Sequence, residues 1–218
     1  IKSVQGQLPF SPNRFLLSFE KQVVSQAGQI KKYLGRDVRK VIWALPPLVM
    51  ENDLGRCRKQ IQQLIRSGYR TFQVGHISQV GLFRNEKVRL FADYTVNIMN
   101  SRAFELAGGI GFEGAQLGIE MDKESLSDTL SGYREMVRNV RGTEKKIKFA
   151  IGLTVYGAPP LFTSRLSSSH FQFEKTVLSP KQEPFIVRKK EGFTQTFAQK
   201  PFSLLPWIFE LKEMGVEY

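Results

Sequence analysis

The chain has 218 residues, 41% hydrophobic and 24% charged, and its 32 Lys and Arg against 20 Asp and Glu give a net charge of +12. That length suits one domain with a substantial buried core, and the balanced composition excludes a disordered or fibrous chain. No apolar run approaches the ~20 residues that cross a bilayer, the start Ile1-Lys2-Ser3-Val4-Gln5 does not read as a signal peptide, and the lone Cys57 excludes an intrachain disulfide.

Residues 1–12 read as an N-terminal extension. Arg14 to Phe19 is a short apolar run that predicts a strand, and Gln22 to Leu34 has near-helical spacing up to Gly35. Val38 to Leu45 predicts a strand stopped by Pro46-Pro47. Asn52 or Asp53 then caps a helix to Arg66, closed by Ser67-Gly68. Thr71 to Ile77 and Val88 to Tyr94 read as strands, with a helical stretch at Ser78 to Phe83 between them. Ser101 to Leu106 reads as a helix ending before Gly108-Gly109, and Ala115 to Met121 as the next strand. A helix from Asp122 or Ser125 to Val140 and a strand from Ile147 to Tyr156 complete the series. Strands alternating with helices, continuously rather than alternately apolar, predict a buried parallel sheet. The expected fold is an α/β (βα)8-type barrel in a single domain, incomplete because Val216 to Tyr218 reads as the start of a further strand.

The pattern changes after Gly157. Pro159 to Ser179 is rich in Ser, Thr and Phe without clear period, and Pro184 to Val187 with Gly192 to Ala198 predicts a hairpin around Lys189-Lys190-Glu191-Gly192. Residues 158–200 are therefore expected to form a lid of loop and hairpin, before a last helix from Leu204 to Met214.

Three segments at predicted strand ends carry a resemblance. Ile42-Trp43-Ala44-Leu45-Pro46-Pro47 leads through a helix to Gly68-Tyr69-Arg70-Thr71-Phe72-Gln73-Val74-Gly75-His76; Ala92-Asp93-Tyr94-Thr95-Val96-Asn97-Ile98-Met99-Asn100-Ser101 follows; Thr154-Val155-Tyr156-Gly157-Ala158-Pro159-Pro160-Leu161 comes last. In order and spacing they resemble the collagenase-like peptidase family U32, over about residues 38–218. The resemblance implies a barrel fold and either a peptidase or a related RNA-modification protein, this segment supplying a pocket and a basic surface. The alternative is a non-catalytic barrel half that binds RNA or peptide and partners a cysteine-bearing catalytic domain. The family's cluster cysteines have no counterpart in Ala158 to Ser179, so no iron–sulfur cluster, other cofactor or metal is expected. No nucleophile elbow or zinc-protease motif is visible either.

Ligands of a parallel barrel meet the carboxyl ends of the strands, which selects the candidate residues. Glu120, Asp93 and His76 are the catalytic candidates, and Asn97, Asn100, Tyr156 and Arg165 the substrate-binding ones. Glu120 follows an apolar strand, where a buried carboxylate needs a partner or a raised pKa. Each has a structural reading beside the functional one. Glu120 can tie neighbouring strand ends, Asn100 or Ser101 can cap a helix, Asn97 can fix a loop, and His76 can be a polar strand-end residue. Cys57, between Arg56 and Arg58, reads as a helix cysteine whose neighbours could lower its pKa. The dispersed basic clusters predict weak, salt-sensitive RNA binding. Peptide is the other expected partner, with self-association along an open sheet edge, or docking to another domain of the same polypeptide, as further expectations. The expected location is cytoplasmic, in a reducing compartment.

Overall fold

The computed structural model describes residues 12–139, 149–190 and 192–218. Compact packing divides the chain into two units, Ile1–Leu153 with Met214–Tyr218, and Thr154–Glu213.

The first unit is a six-stranded sheet in sequential order: β1 (Phe15–Ser18), β2 (Val41–Ala44), β3 (Thr71–Val74), β4 (Arg89–Ala92), β5 (Phe112–Gln116) and β6 (Ala150–Gly152). Every neighbouring pair is parallel. Between the strands lie α1 (Lys21–Ser25), α2 (Ala27–Leu34), α3 (Glu51–Arg66), α4 (Ser101–Ile110) and α5 (Lys123–Asn139). This is a mixed α/β fold of alternating strands and helices, with the order of a partial α/β barrel.

Register explains the two faces of the sheet. Val74, Ala92, Ala115 and Ile151 align in one row, and Trp43, Phe72, Leu90 and Phe112 in another. All eight are buried. The helices supply matching apolar faces: Cys57, Ile61 and Leu64 on α3, Phe104 and Ala107 on α4, Leu126 and Leu130 on α5. The opposite face carries the row Ser18, Ala44, Gln73, Phe91, Gly114 and Ala150. Here apolar and polar side chains mix.

Several boundaries differ from the sequence reading. The predicted helix over Gln22–Leu34 is two helices joined at Gln26. Residues Gly35–Lys40, read partly as strand, form a 3-10 turn before β2. The helix expected to stop before Gly108-Gly109 runs through both and ends at Gly111, whose φ of 106° lies in the left-handed region. Strand β5 begins at Phe112, three residues before the expected Ala115. Gly114 is inside it because a Cβ there would stand 2.5 Å from the Ala150 carbonyl and 2.9 Å from the Phe91 ring. A glycine that looks like punctuation is thus required by close packing. Of the predicted strand from Ile147 to Tyr156, only Ala150–Gly152 is β6, and Ile147 and Lys148 lie outside the described residues. The strand-like Val216 to Tyr218 runs beside β6, where Glu217 N–H donates to the Ile151 carbonyl (2.7 Å) and Leu153 N–H to that of Tyr218 (2.9 Å).

The second unit is antiparallel. The predicted hairpin is β10 (Pro184–Lys190) with β11 (Phe193–Ala198), paired from Phe185↔Ala198 to Lys190↔Phe193. Gly192 supplies the turn's φ of 85°, and Glu191 lies outside the described residues. The stretch read as an aperiodic loop contributes two further strands, β8 (Pro160–Ser164) and β9 (Thr176–Leu178), giving the order β8-β11-β10-β9. Both are edge strands with little burial, so neither carries the alternation that marks a half-buried strand. A small pair joins β7 (Tyr156–Gly157) to β12 (Phe202–Ser203), and α6 (Ile208–Glu213) ends the unit.

Candidate functional site

Three consecutive strands bring polar side chains to the carboxyl end of the first unit's sheet. Gln73 is the third residue of β3, Asp93 follows β4, and Gln116 ends β5. Gln73 is buried, and its Nε2 donates to Asp93 Oδ1 at 2.5 Å and to Gln116 Oε1 at 3.5 Å. The second carboxyl oxygen, Asp93 Oδ2, is 2.9 Å from Thr95 Oγ1, which is also 2.8 Å from the Gly75 carbonyl. Thr95 has one hydrogen to give and the carbonyl can only accept. Its hydroxyl therefore serves one of these two acceptors at a time. Burial, the main influence, raises the Asp93 pKa, against hydrogen bonds from Thr95 and Gln73 that lower it.

Beside this cluster lies a cavity of about 450 Å³, lined by the apolar Leu16, Ile42 and Ala150 and by the polar or charged Asn13, Arg14, Gln73, Gln116, Glu217 and Tyr218. The Tyr218 ring meets Phe91 edge-on, with centroids 5.9 Å apart. The Arg14 guanidinium lies 4.9 Å from the Phe91 ring centre and 5.4 Å from that of Tyr218. The Tyr218 hydroxyl is buried without a hydrogen-bond partner, and burial raises its pKa, keeping it protonated as a donor.

The end of β3 is held by a third carboxamide. Gln79 Oε1 accepts from Gly75 N–H (2.9 Å), while its Nε2 donates to the Pro46 carbonyl (2.7 Å). At Gly75 a Cβ would stand 2.6 Å from Pro47 Cα. The Pro46-Pro47 turn therefore lies directly on the end of β3.

The other predicted residues are placed as follows. His76 is exposed and caps a 3-10 turn over Ile77–Phe83, its Nδ1 accepting from Ser78 N–H at 3.2 Å. Asn97 is exposed in the left-handed region, with φ of 59°, closing the turn over Tyr94–Val96. Asn100 Oδ1 accepts from Ala103 N–H (2.9 Å) and caps α4. Glu120 is exposed in the turn between β5 and α5, so the burial expected of it is not found. The strand ends at Gln116, and the chain has turned outward before Glu120 is reached. Tyr156 and Arg165 belong to the second unit, both exposed, Tyr156 in β7 and Arg165 just past β8. Of the predicted set, Asp93 alone joins the half-buried polar cluster around Gln73. Gln73, Gln116, Thr95, Arg14 and Tyr218 were not singled out by sequence. Gln73 had a usable signal, a polar residue inside a strand flanked by Phe72 and Val74.

Cys57 is buried, and desolvation pushes its thiol up to about 11, outweighing Arg56. Among the described residues, no group of three or more His, Cys, Asp or Glu is arranged to hold a metal ion. No described helix is long and apolar enough to cross a membrane.

No protein-family model matches the chain, and no curated protein matches it in sequence. A solved structure, that of the U32 peptidase Mk0906, superposes with a TM-score of 0.51 and 10% identity over 70% of this chain. What the two share is the fold. The superposition covers 64% of Mk0906, so this chain spans less than two thirds of that protein.

Proposed function

We propose that the first unit is a peptide-binding barrel-type domain related to the U32 peptidases, with its site at Gln73, Asp93 and Gln116. The observation that carries this reading is the convergence of two carboxamides and a carboxyl group at the ends of three adjacent parallel strands, beside a cavity of about 450 Å³. Ligand sites of parallel α/β sheets lie at these strand ends. The carboxamides offer donors and acceptors without net charge, which suits the amide groups of a peptide backbone. The fold shared with a peptidase supports the same ligand class. If the domain also cleaves, Asp93 is the group suited to acid–base work, because burial brings its pKa up from the ordinary carboxylate range.

A second reading rests on charge. Parallel topology gathers the helix-to-strand connections at the amino ends of the strands, where Arg36, Arg39, Arg66, Arg70, Arg84 and Lys87 are all exposed. Such a rim favours phosphate backbones, so RNA is the competing ligand.

One titration separates the two. Labelled short peptides and a labelled RNA oligonucleotide are offered to the wild-type chain, to Q73L/Q116L and to R66Q/R70Q/R84Q. Peptide binding lost in the first variant and kept in the second supports the peptide site. RNA binding alone, lost only in the second variant, would replace it with the basic-rim reading.

A further inference from the structure

We infer that a peptide enters this site as an added β-strand, pairing with the outer edge of β1 beside the cavity. This deepens the peptide reading and rests on it. Strand β1 stands at the end of the sheet and is paired with β2 alone. Phe19 N–H, directly after β1, donates to the Ala44 carbonyl at 2.9 Å. In a parallel ladder every second residue turns its N–H and C=O towards the same neighbour. Phe15, Leu17 and Phe19 therefore face β2, and Leu16 and Ser18 turn their backbone groups away from it. Among the described residues those outward groups have no hydrogen-bond partner.

Exposure along the cavity wall is the second observation. Leu16 aligns with Ile42, and both line the cavity. Ile42, on a strand with a neighbour on either side, is 5% exposed, whereas Leu16 is 53% exposed. The difference follows from the missing neighbour on the outer side of β1. Val216 to Tyr218, across the cavity, does not fill that place, because it bonds to β6: Glu217 N–H donates to the Ile151 carbonyl, and the Tyr218 carbonyl accepts from Leu153 N–H. An extended peptide laid along β1 answers the outward groups with its own N–H and C=O. It also turns alternate side chains to the cavity face, beside Leu16 and on the wall that carries Gln73 and Gln116. Apolar side chains suit the positions next to Leu16. The net charge of +12 opposes a second copy of the chain as the occupant.

Calorimetric titration of the full chain with capped heptapeptides alternating Thr with Leu, or Thr with Phe, tests this. The tighter binder is then remade with a single N-methyl group at each backbone amide in turn. Methylation should lower affinity about tenfold or more at every second residue and much less between them, because only alternate amides face β1. Ser18→Pro removes one outward N–H and leaves the bonds to β2, a place where an edge strand accepts proline, and should weaken the parent peptide by a similar factor. Thermal melts establish that this variant is folded, and the N-methyl series on the wild-type chain does not depend on it. A parent peptide that binds while the N-methyl series is flat or without a period of two would overturn strand addition and leave the peptide site standing. So would S18P, folded, binding at wild-type strength. A ligand-free dimer in light scattering that S18P dissociates would give the edge to a second copy and overturn the inference. Failure of every heptapeptide to bind would overturn both readings.

Discussion

Arg14, just before the first strand, and Tyr218, beside the last, lie at opposite ends of the described chain, yet the guanidinium of one is 5.4 Å from the ring centre of the other. In a flat sheet of this order, β1 and β6 would be separated by four intervening strands at about 4.8 Å spacing. The two edges meet because the sheet curls, and the mixed face of Gln73, Phe91 and Gln116 becomes the wall of a cavity.

The Tyr218 ring occupies space that Gly152 leaves open. Gly152→Ala should lower stability by about 1–3 kcal/mol, as overpacking commonly does. In a Tyr218→Ala background the same change should cost much less. Urea unfolding of the four proteins completes the cycle. An equal cost in both backgrounds would show that Tyr218 does not occupy that space in solution.

Asp93 gives a pH signature. Its folded-state pKa is raised, chiefly by burial, so the native state holds the proton to higher pH than the unfolded chain. Stability from this group is therefore complete below the unfolded value of about 3.9 and is lost as pH rises through the folded value. Asp93→Asn mimics the protonated form. Wild-type stability relative to D93N should fall as pH rises from about 4, measured by denaturant melts at a series of pH values. A difference that rises with pH would mean that the charged carboxylate is the stabilised form.

The turn at Pro46-Pro47 depends on Gly75 and Gln79. Gly75→Ala puts a Cβ 2.6 Å from backbone, which cannot rotate away, and should cost about 2 kcal/mol or more. Gln79→Leu leaves Gly75 N–H and the Pro46 carbonyl without their partner, at about 1–3 kcal/mol for a buried group. Thermal unfolding reads both. Near-neutral melting of either variant would mean that the turn does not rest on the end of β3.

Asn100 and Asn97 separate structure from recognition. Asn100→Ala removes the α4 cap and should cost about 1 kcal/mol, with Asn100→Ser restoring most of it. Asn97→Gly should be tolerated better than Asn97→Ala, because the φ of 59° suits glycine. Stability measured beside peptide affinity distinguishes the roles. An affinity loss at Asn100 exceeding the change caused by unfolding would make it a ligand contact as well as a cap.

The sequence by itself determined the α/β alternation, the parallel sheet, the hairpin over β10 and β11, and the capping of α4 and α5. These follow from local patterning, chain direction and single side chains bonding to nearby backbone, as Asp122 does to Ser125 N–H at 2.8 Å. Asp93 was legible as a strand-end acid, but its surroundings were not, since burial and the bond from Gln73 of the neighbouring strand come only with the fold. Tertiary structure alone decided that Glu120 faces solvent, that Gly114 sits inside a strand, and that β8 and β9 pair with the hairpin. It also decided the cavity, because Arg14 and Tyr218 become neighbours only when the whole sheet curls. Short-range periodicity carries no record of that curvature. It arises from packing summed over six strands, and the site is built where the curl brings their ends together.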